Sequence, residues 1–179
     1  MVFSEDDVLH ARDGDQDAFI RLIQTYETSL YRVAKGILKE DSICADAIQE
    51  AILKSYKSIS KLKNPKYFKT WITRILINEC NDILKKKHKD LSHENIESLQ
   101  DMEADVKENC DLTEAISELD EKHRAVVTLF YYEEFSIKEI SQILKISEGT
   151  VKSRLNRARL KLSSYLNLQN PEERGVENG

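Results

Sequence analysis

The pattern of apolar and polar positions predicts helices throughout the first half of the chain. A short helix ends at the turn 13–15, and a long amphipathic helix begins near Asp17. The apolar stripe of the long helix is Phe19, Leu22, Ile23, Tyr26, Leu30, Val33, Ala34, Ile37 and Leu38. A third helix, about 43–60, has its expected buried stripe at Ile48, Ile52, Tyr56 and Ile59. A fourth, about 65–88, has Phe68, Ile72, Ile75, Leu76 and Ile83 on its expected core face.

The second half of the pattern predicts four shorter helices after an interruption. Residues 90–111 are acidic and lack apolar periodicity, which is typical of a flexible linker. Helical spacing returns over 112–119, 121–132, 136–144 and from Ser147 onwards, and it stops after Leu166. The sequence therefore predicts an all-α protein with two small helical domains, 1–89 and 112–166, that move independently on an acidic linker. Residues 167–179 are expected to be a frayed tail.

Composition agrees with a helical chain, and the charge distribution changes the picture of its partners. Only five Gly and two Pro occur in 179 residues, and the net charge is −5. Residues 54–89, however, contain eleven Lys and Arg against two acids, a net charge of +9, whereas residues 90–121 contain twelve acids against one Lys, a net charge of −11. A nucleic-acid partner is compatible with such concentrated basic blocks.

The cysteines and the hydropathy argue against a disulfide-bonded, a zinc-binding and a membrane-spanning protein. Cys44, Cys80 and Cys110 are odd in number and widely spaced, which favours neither a disulfide framework nor a zinc site. We expect no cofactor and no metal. No apolar segment is long enough for a leader or a membrane span, so a cytoplasmic location is expected.

The last two predicted helices have the order and spacing of a helix-turn-helix. Val151, Leu155, Ala158 and Leu162 form the core-facing stripe of the second helix. The expected DNA-contacting residues on and beside the opposite face are Thr150, Lys152, Ser153, Arg154, Asn156 and Arg157. Such a basic helix held against a scaffold helix suits the major groove, because cations neutralise phosphates while Ser and Asn reach base edges. The alternative is a solvated basic helix at the end of a bundle.

Two other features have both a structural and a functional interpretation. A strip along the fourth helix alternates aromatic, cationic and amide groups: Tyr67, Trp71, Arg74, Asn78, Asn81 and Lys85. It suits an unpaired strand, since rings stack on bases and amides bond to base edges, or else it consists of core aromatics beside solvated lysines. On the third helix, Leu53 lies among Asp46, Gln49 and Glu50. It is either an ordinary exposed leucine or the centre of a protein docking patch.

The chain from about 17 to 166 resembles a bacterial RNA polymerase sigma factor of the extracytoplasmic-function group. DAIQEAILKSY at 46–56 and YFKTWITRILINECNDIL at 67–84 are similar to the region-two domain of that family. EGTVKSRLNRARLKL at 148–162 is similar to the region-four domain. Either motif alone is moderately specific, but both in this order, joined by a short acidic linker, are highly specific.

The resemblance implies a role for each surface. Asp46, Gln49, Glu50 and Leu53 would dock on the clamp helices of the polymerase β′ subunit, and the β subunit would be a further partner. The basic loop 61–66, with Leu62 and Lys63, and the strip from Tyr67 to Lys85 would capture and help melt the −10 promoter element. The basic helix would read the −35 element as duplex, partly through DNA shape. Similar proteins are inhibited by a cognate anti-sigma factor, often anchored in the membrane, and respond to cell-envelope stress.

Two positions depart from the pattern, and other functions compete with this interpretation. Lys145 occupies a turn position that often holds Gly, so either mild backbone strain or a different turn is expected. At the position of Asn156, relatives often carry a different, sometimes aromatic, side chain. The base preference at this position is therefore left open. A stand-alone helix-turn-helix regulator would bind duplex DNA without polymerase, but the strip from Tyr67 argues against it. No nucleophile–base pairing, metal-ligand spacing or phosphate loop supports an enzyme, and the basic blocks disfavour a pure scaffold.

Overall fold

A computed structural model describes residues 4–91 and 112–169, which form eight α-helices and no strand. The helices are α1 (Glu5–Arg12), α2 (Gln16–Leu38), α3 (Asp41–Ser58), α4 (Phe68–Leu91), α5 (Leu112–Ser117), α6 (Glu121–Val127), α7 (Ile137–Leu144) and α8 (Glu148–Gln169). Short 3₁₀ turns, Ile59–Lys61 and Pro65–Tyr67, connect α3 to α4. A π-helical turn, Thr128–Tyr132, extends α6. The all-α prediction is confirmed.

The N-terminal half is a bundle in which α2, α3 and α4 pack against one another and α1 lies against α2. Gly14 has a φ of +101°, which suits glycine in the turn that ends α1. Asp15 then caps α2 by accepting a hydrogen bond of 3.1 Å from the Ala18 amide. Phe68, at the start of α4, is fully buried at the centre of this bundle. The bundle thus supports the outward faces of α3 and α4.

The buried face of α3 differs from the predicted stripe. Its buried residues are Cys44, Ala47, Ala51 and Ser55. Of the predicted residues, only Ile59 is buried; Ile48 and Ile52 are half-buried, and Tyr56 is exposed. Small side chains let α3 approach both α2 and α4 closely, and the larger isoleucines then fill the margins of the contact. Periodicity alone favoured the large apolar residues and missed the stripe of small ones.

Two of the three cysteines are packing residues. Cys44 and Cys80 are buried and free, and burial raises the pKa of the Cys80 thiol to about 12. At neutral pH this thiol is therefore protonated and behaves as a small apolar group. Cys110 lies outside the described residues.

The C-terminal half consists of α5 to α8, with the helix-turn-helix formed by α7 and α8. Lys145 ends α7 in the left-handed conformation, with φ 55° and ψ 44°, and its amide bonds to the Ser141 carbonyl. Of the two expectations for this position, the structure has the strained backbone rather than another turn. Helix α8 continues to Gln169, so the first three residues of the expected tail are helical.

The two halves pack against each other over one continuous core. Helix α6 contacts α2, and α7 contacts α4. Buried residues of both halves, such as Leu30 and Val126, belong to the same apolar cluster. The free chain in this structure is closed, a point that the sequence left open. The predicted linker lies almost wholly outside the described residues, and the independent motion of two domains remains a prediction.

Candidate nucleic-acid interfaces

Helix α8 has a core-facing stripe on one side. Val151, Leu155 and Ala158 are buried as predicted, and Leu162, the fourth residue of the predicted stripe, is half-buried. Ser147 precedes the helix and caps it: its hydroxyl accepts from the Thr150 amide at 3.1 Å and lies 2.8 Å from the Thr150 hydroxyl. The core contact on one side fixes which residues face solvent on the other.

The opposite side of α8 carries the predicted DNA-contacting residues. Lys152, Ser153, Asn156 and Arg157 are exposed, while Thr150 and Arg154 are half-buried. We call these six residues the α8 basic face. The Ser153 hydroxyl donates to the Thr150 carbonyl at 3.0 Å, and the face contains three cations and no acid. It can therefore meet a phosphate backbone with Ser and Asn positioned for base edges.

Two acidic residues hold the elements around α8 in place. Burial alone raises the pKa of the Asp120 carboxyl, but hydrogen bonds from Lys161 and His123 outweigh this effect and lower it. Lys161 of α8 lies 2.9 Å from Asp120, which ties α8 to the start of α6. Glu139 forms a capping box with Ser136 at the start of α7. The Ser136 hydroxyl lowers the pKa of Glu139, and Lys69 and Thr70 of α4 lower it further.

The predicted strip on α4 is continuous along the helix but unevenly exposed. Tyr67 is 58% exposed, Arg74 and Lys85 are exposed, and Asn78 and Asn81 are half-buried. Trp71 is half-buried, with its ring centroid 5.9 Å from that of Phe68. We call these six residues the α4 strip. Trp71 both packs on the bundle and faces outward. It therefore fits both interpretations that the sequence left open, a core aromatic and a ring available to stack on a base.

The loop before α4 only partly matches the expectation. Lys63 is exposed, whereas Leu62 is 7% exposed and belongs to the apolar core. The 3₁₀ turn Ile59–Lys61 closes with a hydrogen bond from the Leu62 amide to the Ile59 carbonyl, and the leucine follows the chain into the bundle. In this conformation Leu62 contributes packing, and the cations of the loop are the groups that solvent reaches.

The α3 patch, defined as Asp46, Gln49, Glu50 and Leu53, is exposed at every position. Leu53 is 51% exposed and lies among the polar side chains. Beside it, Lys54 forms an ion pair of 2.5 Å with Glu79 of α4, while the buried side of α3, with Cys44, Ala47 and Ala51, sets its orientation on the bundle. An apolar side chain ringed by polar ones on a rigid helix has the form of a protein-binding hot spot.

The structure also brings together residues that the sequence did not connect. A cleft of about 570 Å³ separates the α4 strip from α7, and its lining includes Trp71, Arg74, Lys138, Glu139 and Gln142. Glu133, in the loop before α7, is buried at 3% exposure against α2 and α4. No local pattern identifies Glu133, because its partners are more than sixty positions away in the chain.

Neither a metal site nor a membrane span is found in the described part of the chain. Residues 4–91 and 112–169 contain no group of three His, Cys, Asp or Glu side chains that could hold a metal ion. Among the helices of these two segments, none combines the length and apolarity that crossing a bilayer requires.

Comparison with known proteins identifies relatives over most of the chain. Family models for sigma-70 region 2 and for sigma-70 region 4 match residues 22–89 and 111–162. The RNA polymerase sigma factor SigV of Bacillus subtilis is 32% identical over 141 residues, 78% of this chain and 85% of that protein. The extracytoplasmic-function sigma factor SigM of Mycobacterium tuberculosis is 30% identical over 159 residues, 88% of this chain and 81% of that protein.

Solved structures show the same fold. CnrH, determined in complex with the cytosolic domain of CnrY, has a TM-score of 0.67 at 21% identity, with 92% of this chain and 97% of that chain covered. RpoE of Bartonella quintana, determined with the anti-sigma factor NepR, has a TM-score of 0.69 at 22% identity. That match covers 83% of this chain and 96% of that one.

Proposed function

This chain belongs to the extracytoplasmic-function group of the sigma-70 family, and we propose that its three exposed surfaces divide the work of promoter recognition. As a sigma factor it binds core RNA polymerase and directs promoter-specific initiation of transcription, without catalytic activity of its own. Residues 1–89 form the unit for polymerase docking and the −10 element, and residues 112–166 form the unit for the −35 element. Residues 90–111 connect the two units.

The α8 basic face reads the −35 element as duplex DNA. Its cations neutralise phosphates on both sides of the groove, and Asn156 and Arg157 reach base edges. The exposed position of both side chains opposite the core stripe supports this assignment.

The α4 strip holds the unpaired −10 strand. Extruding a base costs a few kcal/mol of unstacking, which a stacking partner must offset. Tyr67 and Trp71 supply aromatic rings, Asn78 supplies an amide, and Arg74, Lys85 and Lys63 supply charge for the backbone. Leu62 acts from the core by supporting the loop.

The α3 patch docks on the clamp helices of the polymerase β′ subunit, with Leu53 as its apolar centre and three polar residues around it. The 51% exposure of this leucine on a helix whose opposite side is buried in the bundle supports the assignment. The β subunit is the expected contact of the C-terminal half.

An anti-sigma factor controls the chain in the cytoplasm, anchored in the membrane or free. CnrH and RpoE, which share this fold, were solved with partner proteins, and the RpoE partner is an anti-sigma factor. A response to cell-envelope stress is the function we expect of this control.

The observation that carries the proposal is that region 2 and region 4 occur in order on one chain, each with one exposed cationic surface. Reconstituted transcription tests it. Purified protein is added to bacterial core polymerase on the promoter upstream of its own operon, with core polymerase alone as the control. Discrete transcripts that depend on the protein are expected. Their absence, together with tight binding to duplex DNA without polymerase, would instead support a stand-alone regulator.

A further inference from the structure

We propose that the chain carries a binding site for a free mononucleotide in a cavity between the last turns of α2 and the helices α5 and α6. The ligand is defined by its chemistry, an aromatic ring joined to phosphate, with the phosphate held by cations and the ring held by tyrosine. The site shares no residue with the α8 basic face, the α4 strip or the α3 patch, and it does not depend on the function proposed for them.

A cavity of about 490 Å³ lies where the last turns of α2 face the C-terminal half. Its volume is in the range of pockets that hold small ligands. The α2 wall is one helical face, because its lining residues recur at intervals of three or four positions between Thr28 and Lys39. The other wall comes from α5, α6 and the π-helical turn. Tyr31 and Tyr132, one on each wall, are 44% and 41% exposed, so a ligand can enter from solvent without unfolding the chain.

The lining of this cavity is cationic. Among the described residues that line it, none is acidic and four are basic: Arg32, Lys35, Lys39 and Arg124. Two carboxylates outside the lining balance part of this charge, since Glu133 accepts from Arg32 at 2.7 Å and Asp41 is paired with Lys35. The net charge of these six groups is 4 − 2 = +2. An anion is the ligand that such a cavity attracts.

Arg124 is the buried cation of the site. It is 5% exposed, and it donates from Nε to the Gly36 carbonyl at 2.8 Å and from Nη2 to the Ile37 carbonyl at 3.2 Å, so that it caps α2. All of its hydrogen bonds go to neutral backbone carbonyls. Burial lowers the pKa of Arg124 by more than Glu121 and Asp120 raise it, so its charge is incompletely balanced. An anion in the cavity would reduce the cost of burying this charge.

Lys39 is the cation that is free to bind a phosphate. It follows α2 with φ 65° and ψ −40°, and the Glu40 amide donates to the Leu38 carbonyl across it at 2.9 Å. These features define a γ-turn of the rare, strained type with positive φ, and such strain often accompanies a functional position. Within the described part of the chain, the Lys39 ammonium has no hydrogen bond or ion pair. A bound phosphate would supply the missing partner.

Tyrosine forms the aromatic part of the site on both walls. The Tyr31 hydroxyl donates to Asp41 at 2.9 Å, which orients this ring at the α2 wall. On the opposite wall, Arg32 Cζ lies 5.7 Å from the centroid of the Tyr132 ring, so a guanidinium plane adjoins the aromatic one. Bases stack on tyrosine rings and on guanidinium planes. The cavity therefore offers a base two stacking surfaces close to its cations.

The remaining lining favours a nucleotide over other anions. Thr28, Ser117 and Thr128 supply hydroxyls, which can donate to and accept from a ribose. A lipid anion fits less well, because Ile116 is the one aliphatic side chain among the described lining residues. Inorganic phosphate would leave the tyrosines unused. Since the described lining offers no carboxylate to hold Mg²⁺, the affinity should not depend on this metal.

Isothermal titration calorimetry of the full-length protein with GTP and with ATP tests the site, without polymerase or promoter. Lys39→Gln removes the unpaired ammonium, and Tyr132→Leu removes one stacking ring. Lys122→Gln and Tyr131→Leu are the matched controls, because each changes an exposed residue of the same type that does not line the cavity. Thermal melting of each variant without ligand establishes that it is folded.

We expect one-to-one binding of at least one of the two nucleotides, with a Kd in the micromolar range and no effect of EDTA. Lys39→Gln and Tyr132→Leu should each weaken binding about tenfold, since one loses a charge-assisted hydrogen bond and the other a stacking partner. Both controls should bind as the wild type does.

Four outcomes would overturn the proposal. The first is no binding of either nucleotide at about 1 mM, and the second is unchanged affinity in folded Lys39→Gln and Tyr132→Leu. The third is equally tight binding of inorganic phosphate, which would mean that the rings take no part. The fourth is displacement of the nucleotide by a short single-stranded DNA oligonucleotide, which would assign the cavity to a nucleic-acid strand instead of a free nucleotide.

Discussion

The α8 basic face and the α4 strip are both helical surfaces rich in cations and amides, yet they are built differently. On α8, Lys152, Ser153, Asn156 and Arg157 are exposed away from the buried stripe, and the half-buried residues Thr150 and Arg154 flank it. On α4, Trp71 packs on buried Phe68 and lines the cleft at the same time. Recognition is therefore separable from folding on α8 and coupled to folding on α4.

The difference follows from what each surface has to bind. Duplex DNA presents its groove to an exposed helix, so side chains on a solvated face suffice. An unpaired base requires an aromatic surface, and a large ring left fully in water would be costly. Packing Trp71 against Phe68 of the bundle reduces that cost.

The largest effect is expected at a third surface, the α3 patch, which is distinct from both the α8 basic face and the α4 strip. Leu53→Asp should reduce affinity for core polymerase by more than about 2 kcal/mol, because it places a charge at the apolar centre of the α3 patch. Surface plasmon resonance with immobilised core enzyme measures the loss. Ile20→Asp, at a residue that is also 51% exposed but lies on α2, is the matched control. Normal binding by Leu53→Asp would remove the α3 patch from the polymerase interface.

Trp71→Ala should affect stability and promoter opening together. Loss of a half-buried indole is expected to lower the free energy of unfolding by about 2 kcal/mol, less than a fully buried Trp would. Loss of stacking should lower promoter opening by about 1–3 kcal/mol, while polymerase affinity stays unchanged. Urea denaturation measures the first effect, and permanganate reactivity of unpaired thymines measures the second.

Trp71→Phe tests the coupling directly. It retains an aromatic ring on Phe68 and should restore most of the stability and part of the opening. Opening that is normal in Trp71→Ala would mean that the ring serves packing alone.

On α8, the corresponding change should affect recognition without affecting folding. Arg157→Ala is expected to weaken −35 binding by about 1–3 kcal/mol and to relax specificity at one base pair. Its melting temperature should equal that of the wild type, since Arg157 is exposed. Binding to a set of single-base-pair variants of the −35 duplex provides the measurement. An unchanged base preference would contradict the docking proposed for α8, and a lowered melting temperature would contradict the separation of recognition from folding.

The smallest effect concerns the turn that sets α8 against α7. Lys145→Gly should raise the free energy of unfolding by about 0.5–1 kcal/mol, because the left-handed backbone at φ 55° suits glycine. Lys138→Gly, inside α7, should instead lower the free energy of unfolding by about 1 kcal/mol. Urea denaturation of the full chain compares the two. Destabilisation by both changes would show that Lys145 contributes through its side chain.

Local pattern predicted much of the fold and of the three surfaces. The helices, the buried stripe of α8 and the exposure of the α3 patch follow from periodicity and capping residues, which act over a few positions. The buried stripe of α3 did not follow, because close helix approach through Cys44, Ala47 and Ala51 depends on the shape of the neighbouring helices. The burial of Leu62 was not predicted for the same reason, because its position depends on a turn that packs into the bundle.

The sequence by itself determined the order of the helices, the separation of the charges and the resemblance to a sigma factor, since each is encoded within one segment. Only the tertiary structure decided that Glu133 is buried against Ser29, Arg32 and Lys69, and that Arg124 caps α2. These contacts join residues 64 to 104 positions apart, where no periodicity connects them. The closed arrangement of the two halves is therefore a property of the folded chain alone.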